Sequence, residues 1–77
     1  MKQIQECLDR AFTNKKPLKK KWRAIISDNK LILVHYQHLI LVYDLIDNVI
    51  IYSWWEKSAD KRGLDAALEY LEKKENQ

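Results

Sequence analysis

Four runs of strand-forming residues, separated by short polar connections, dominate the middle of the chain. The runs are KKWRAIIS, KLILVHY, LILVYD and VIIYSWW, and they place strands at about residues 20–27, 30–36, 39–44 and 49–55. β-Branched and aromatic residues favour strands, and connections of so few residues can join only antiparallel neighbours. The pattern therefore predicts a four-stranded antiparallel meander.

The three connections differ in how clearly they indicate a turn. Asp28-Asn29 suits a two-residue hairpin turn, because both residues tolerate positive φ. Asp47-Asn48 is the expected centre of the third connection, whereas Gln37-His38 is a weaker turn sequence between the second and third strands. Each connection is expected to contain an even number of residues.

Apolar residues at helical spacing flank the strands at both ends of the chain. A helix at about residues 2–13 is predicted by Ile4, Cys7, Leu8, Ala11 and Phe12. Asn14 suits the end of this helix, and Pro17 prevents its continuation. A second helix at about residues 59–74 is predicted by Leu64, Ala67, Leu68 and Leu71. The expected fold is a single α+β domain over residues 1–77, with the order α-β-β-β-β-α and a four-stranded antiparallel meander sheet packed by both helices.

Side-chain alternation along the strands sorts the predicted sheet into two faces, both largely apolar. One face is expected to carry Trp22, Ala24, Ile26, Leu31, Leu33, His35, Ile40, Val42, Val49, Ile51 and Trp55. The other is expected to carry Lys19, Lys21, Arg23, Ile25, Ile32, Val34, Tyr36, Leu39, Leu41, Tyr43, Ile50, Tyr52 and Trp54. Two short helices can cover both faces only if one helix lies on each side. If both pack on the same side, the other face must meet a partner, and we therefore expect a homodimer or a larger assembly.

Basic residues are concentrated in the first third of the chain. Residues 1–23 contain eight basic and two acidic side chains, whereas residues 24–77 contain six basic and nine acidic ones. Five of the eight basic residues in the first 23 positions belong to a basic segment at residues 14–21, which precedes and overlaps the first predicted strand. The segment is typical of a phosphate-binding surface, but lysines also protect exposed sheet edges from aggregation and keep small domains in solution.

Aromatic residues on the second predicted face favour the interpretation that the basic segment binds nucleic acid. Aromatic side chains stack on bases while nearby cations hold phosphates. The predicted nucleic-acid-binding residues are Lys15, Lys16, Lys19, Lys20, Lys21, Arg23, Tyr36, Tyr43, Tyr52 and Trp54. The same tyrosines could belong to an ordinary core. The alternative function is a protein-interaction module, such as a small regulator or inhibitor of phage or mobile-element origin. Such a module would bind a protein partner through an apolar sheet face or an edge strand.

No complete catalytic or metal site is evident, so we expect a non-enzyme without cofactor, metal or small-molecule substrate. His35 and His38 are three residues apart at a strand end and are expected to point to opposite faces. Cys7 lies in the apolar stripe of the first helix, where a lone thiol normally packs. The chain has a single glycine, Gly63, whereas a phosphate-binding glycine loop requires several.

The apolar runs are too short for membrane insertion. No run approaches the roughly 20 residues that a spanning helix requires, and MKQIQECLDR does not form the apolar centre of a signal peptide. A single cysteine also excludes an internal disulfide. These features lead us to expect a cytoplasmic protein with no membrane partner.

Overall fold

A computed structural model describes residues 2–17 and 20–75, and it confirms the predicted order of elements. The elements are α1 (Lys2–Phe12), β1 (Trp22–Ser27), β2 (Lys30–His35), β3 (His38–Asp44), β4 (Val49–Ser53) and α2 (Ser58–Glu75). The four strands form one antiparallel sheet in the order β1-β2-β3-β4, as the short connections predicted.

Positive φ angles at two expected positions account for the end of α1 and for the first hairpin. Asn14 has φ 58°, and the Lys15 N–H donates to the Arg10 carbonyl across it at 2.9 Å, which closes the helix in a Schellman motif. Asp28 and Asn29 have φ 53° and 60°, as a two-residue type I′ turn requires.

The turn between β2 and β3 is Tyr36-Gln37, so the predicted turn at Gln37-His38 was wrong by one residue. Tyr36 adopts φ 56°, a left-handed conformation that is uncommon for a bulky side chain. Its N–H donates to the Lys21 carbonyl at 2.8 Å, and the Arg23 guanidinium donates to its carbonyl. These contacts from β1 fix the turn, and they are invisible in the local sequence.

A β-bulge in β3 changes which side chains point into the core. Leu33 pairs with Leu41 and Val34 pairs with Leu39, so Ile40 is an extra residue in β3. From Leu41 onward the alternation is therefore inverted relative to the predicted faces. The structure buries Leu41 and Tyr43 in the core and places Val42 on the opposite side. A second register shift in β4 makes Ile51 the extra residue opposite β3.

Both helices pack on the same side of the sheet. Their apolar residues form a single core with the sheet, built around Ile4, Leu8, Leu31, Leu33, Ile40, Leu41, Leu64, Ala67 and Leu71. The other side, here called the open face, is half-buried or exposed, and no other element of the described residues packs on it. Its apolar residues are Ile25, Ile32, Val34, Leu39, Val42, Val49 and Tyr52. The sequence had predicted a partner for one face in this arrangement.

Neither helix of the described residues combines the length and the apolar character that crossing a membrane demands.

Candidate functional site

A pocket of about 420 Å³ lies where the start of β1, the β2–β3 turn and the start of α2 meet. We call it the histidine pocket. Its lining residues are Gln3, Lys21, Trp22, His35, Tyr36, His38, Glu56, Lys57, Ala59, Asp60 and Arg62. The volume falls in the range of roughly 300–1,000 Å³ that holds small ligands or single nucleotides.

A second groove, of about 460 Å³, lies between α1 and α2. Four of its polar side chains are already paired with one another. The Tyr70 hydroxyl donates to Asp9 at 2.6 Å, and Lys73 pairs with Glu69 at 3.1 Å. We therefore take the histidine pocket, rather than this slightly larger groove, as the candidate site.

A buried histidine–aspartate pair forms the floor of the histidine pocket. His35 Nδ1 lies 2.6 Å from Asp60 Oδ1, and the two residues are 7% and 4% exposed. The other carboxylate oxygen of Asp60 accepts hydrogen bonds from the backbone N–H groups of Glu56 and Lys57 at 3.2 and 3.0 Å. The hydrogen bond from His35, assisted by these N–H groups, lowers the pKa of Asp60 to about 2. Because the ionised carboxylate can only accept, the proton between the two side chains belongs to His35 Nδ1.

The second ring nitrogen of His35 is available to a ligand. No residue of the described ranges makes a hydrogen bond to Nε2. Across these ranges no fully buried side-chain nitrogen or oxygen is left without a partner, so solvent must reach Nε2. Because Nδ1 is turned toward Asp60 and His35 lines the pocket, we take Nε2 to be the ring nitrogen that faces the pocket.

Packing fixes the plane of the His35 ring. Trp22 stacks on it with the ring centroids 4.0 Å apart and an angle of 11° between the planes. Trp22 is itself wedged against Gly63 of α2, where a Cβ atom would lie only 2.1 Å from the indole ring. The Cys7 thiol donates to the Trp22 carbonyl at 2.9 Å. These contacts give His35 one orientation, and they assign a packing role to the only glycine and the only cysteine of the chain.

His38 lines the same pocket as His35, so the prediction that the two histidines point to opposite faces was wrong. In a two-residue hairpin the flanking residues lie directly opposite each other and share a face, and His35 pairs with His38 in this way. The His38 ring also packs against Trp54 at a centroid distance of 5.2 Å. Within residues 2–17 and 20–75 no three side chains of metal-binding type are grouped to hold an ion.

Cations from two distant parts of the sequence surround the pocket. Lys21 comes from the basic segment, whereas Lys57 and Arg62 come from the start of α2. Two carboxylates, Glu56 and Asp60, oppose these three cations, and Asp60 is already engaged by His35. The pocket is therefore suited to an anionic group.

The structure divides the predicted basic residues between two ends of the molecule. Lys20 and Lys21 lie at the pocket end, near the start of α1, and Arg23 reaches the Tyr36 carbonyl from the open-face side of β1. Lys15 and Lys16 are exposed beyond the other end of α1, which is about 16 Å long at 1.5 Å per residue. The sixth predicted cation, Lys19, lies outside the described residues.

The predicted aromatic face does not exist as one surface, because the bulge in β3 separates its members. Tyr43 is 7% exposed in the core and presents no ring face to a base. Trp54 is half-buried against the core beside His38. Tyr52 lies on the open face, and Tyr36 alone, at 53% exposure, stands at the rim of the histidine pocket.

Sequence reasoning missed the main members of this site. His35 and His38 could have been placed together by a correct choice of turn. Nothing local indicates that Asp60, 25 residues further along, pairs with His35. Lys57 and Arg62 read as ordinary helix-start charges. The chain matches none of the protein-family models, curated proteins or solved structures with which it was compared.

Proposed function

We propose that this chain is a non-catalytic nucleic-acid-binding protein that holds a single-stranded segment at the histidine pocket. The observation that carries the proposal is the convergence of Lys21, Lys57 and Arg62 on one concave site that also contains two histidines. Lysine and arginine supply the phosphate contacts that dominate nucleic-acid affinity.

The rim of the pocket supports a single strand in preference to a duplex. The Tyr36 side chain is exposed, and hydrogen bonds from its backbone N–H to Lys21 and from Arg23 to its carbonyl hold the backbone of this residue in place. An exposed ring beside cations can stack on an unpaired base, whereas the bases of a duplex already stack on one another. Lys20, just before β1, adds a further exposed cation at this end of the molecule.

The proposal is tested by removing the pocket cations together. Lys21→Gln, Lys57→Gln and Arg62→Gln in one protein should weaken binding of a fluorescent oligonucleotide by more than about tenfold at low salt. The slope of log affinity against log salt should fall by about 2, since each single-strand phosphate contact contributes about 0.7. Fluorescence anisotropy at a series of salt concentrations measures both.

A charge-matched control removes three cations from outside the pocket. Lys15→Gln, Lys73→Gln and Lys74→Gln also remove three cations, none of which lines the histidine pocket or belongs to the sheet. This control should bind nearly as the wild type does. Equal losses in both variants, or no salt-dependent binding by the wild type, would reject the proposal.

The open face favours a second candidate function, self-association as an interaction module. Four strands spaced about 4.8 Å apart, each with about six residues rising about 3.3 Å, make a face of roughly 400 Å² in plan. That is comparable to the largest apolar patches on monomers, which are often binding surfaces. We propose that the occupant is a second copy of this chain, packed face to face as in an aligned β-sandwich.

Charge placement on the open face favours a second copy and defines its orientation. Lys30 of β2 and Asp44 of β3 pair across the strands near one end of this face. A two-fold axis parallel to the strands brings β2 of one copy over β3 of the other. Lys30 of each copy then faces Asp44 of the other, and Ile32 faces Val42 in the same way.

A further inference from the structure

We infer that the histidine pocket distinguishes RNA from DNA by accepting a hydrogen bond from a ribose 2′-hydroxyl at His35 Nε2. The inference rests on the proposed nucleic-acid-binding function and names its substrate class. It adds one hydrogen-bond acceptor, His35 Nε2, to the phosphate-binding cations. The acceptor and the cations are tested by separate experiments.

The chemical character of Nε2 follows from its partner on the other side of the ring. A neutral imidazole has one N–H donor and one acceptor nitrogen. Because Nδ1 donates to the Asp60 carboxylate at 2.6 Å, Nε2 is the acceptor whenever the ring is neutral. The ligand group that this nitrogen prefers is therefore a donor, such as a hydroxyl, and not a phosphate oxygen.

The surrounding cations determine which donor can reach it. Lys57 and Arg62, which line the same pocket, would hold a phosphate of the backbone close to His35. The hydroxyl of a nucleic acid that lies beside a phosphate is the ribose 2′-OH, and DNA lacks it. Base amino groups are also donors, but they lie further from the phosphate and vary with sequence.

The ring is held rigidly enough for this contact to be selective. Trp22 stacks on His35 at 4.0 Å, the Tyr36 ring lies 4.7 Å away, and the Asp60 hydrogen bond prevents a ring flip. No reorganisation is then needed when the hydroxyl binds. Because water also reaches Nε2 when DNA occupies the pocket, the expected preference is modest, about three- to tenfold in affinity.

The first test compares three oligonucleotides of one sequence. These are the ribo, the deoxyribo and the 2′-fluoro forms, of which the 2′-fluoro form keeps an RNA-like sugar but has no donor. Wild-type protein should bind the ribo form about three- to tenfold more tightly than both of the others.

The second test removes the acceptor while retaining the packing. His35→Phe combined with Asp60→Asn keeps a ring against Trp22 and a side-chain oxygen for the backbone N–H groups before α2. This variant should bind all three forms with equal affinity. Thermal melting checks that it is folded, and the wild-type comparison stands independently if it is not.

The outcomes separate the inference from the function on which it rests. Equal binding of the ribo and 2′-fluoro forms by the wild type overturns the hydroxyl contact but leaves nucleic-acid binding in place. A preference for RNA that survives in the folded double variant also overturns it. If the wild type binds no form, the proposed function and the inference both fail.

Discussion

Gly63 is the residue of α2 that packs against the Trp22 side chain of β1. A methyl group there would lie 2.1 Å from the Trp22 indole, which is almost fully buried and stacked on His35. We expect Gly63→Ala to lower the free energy of unfolding by up to about 2 kcal/mol, because an overpacking cost of about 1–3 kcal/mol outweighs a gain in helix propensity of about 1 kcal/mol. Urea unfolding measures the change. An exposed α2 substitution, Glu72→Ala, serves as the control, and a Gly63→Ala protein as stable as the wild type would contradict the packing described.

Asp60 should make the protein sensitive to acid. Its pKa is lowered from 3.8 to about 2 in the folded state, so the ionised form stabilises the fold above about pH 4. This contribution, about 2 kcal/mol, should disappear as the pH falls from about 4 to about 2. Asp60→Asn should therefore be less stable than wild type at neutral pH, and the difference should shrink toward pH 2. Denaturant unfolding across this pH range measures the difference in stability between the variant and the wild type, and the exposed Asp65→Asn is the control. A difference that stayed constant with pH would contradict the lowered pKa of Asp60.

Cys7 should be chemically inert in the folded protein. Burial is the main cause that raises the pKa of its thiol, and the nearby Glu6 carboxylate raises it further. The thiol also donates a hydrogen bond to the Trp22 carbonyl. We expect a thiol reagent to modify it only as fast as the protein unfolds. Absorbance assays with and without denaturant measure the two rates, and rapid modification of the native protein would show that the α1–β1 contact opens.

At the scale of the elements, the bulge in β3 decides which substitutions the sheet tolerates. Leu41 is fully buried under the helices, whereas Val42 is half-buried on the open face. Leu41→Asp should abolish folding by burying an unpaired charge, and Val42→Asp should leave a folded protein. Circular dichroism and thermal melting distinguish the two. The reverse result would restore the uninterrupted alternation that the sequence suggested.

The elements could be predicted because their signals are local. Strand-forming runs, the Asp28-Asn29 turn and the end of α1 at Asn14 each depend on residues close in sequence, and all of them occur as expected. The extra residue Ile40 and the turn at Tyr36 depend instead on backbone partners in neighbouring strands. The histidine pocket requires all of these at once, and for this reason its cations and its Asp60 could not be assembled from the sequence.

At the scale of the whole molecule, helices on one side and an apolar open face on the other predict association. We expect light scattering to give a dimer mass at high micromolar concentration. Val42→Asp should produce monomers, because it introduces two unpaired carboxylates, one from each copy, into an apolar interface. Tyr36→Ala, which alters the histidine pocket instead, should remain dimeric. A monomeric wild type at that concentration would reject self-association through this face.

Binding at the pocket and pairing through the open face are compatible in one assembly. The histidine pocket is formed by the helix-bearing side and the β2–β3 turn, so a dimer through the open face leaves both pockets accessible. A strand long enough to reach both sites should bind more tightly than two short ones.

The most direct test of the proposed nucleic-acid site is to locate a bound oligonucleotide on the protein by amide chemical-shift mapping. Titration of isotope-labelled protein with a short oligouridylate should shift the amides of Lys21, Tyr36, Lys57 and Arg62 first and most strongly. The amides of Ile32 and Val42 on the open face should move little. Shifts centred on the open face or around Lys15 and Lys16, or no shifts at low salt, would contradict the assignment of the histidine pocket as the nucleic-acid site.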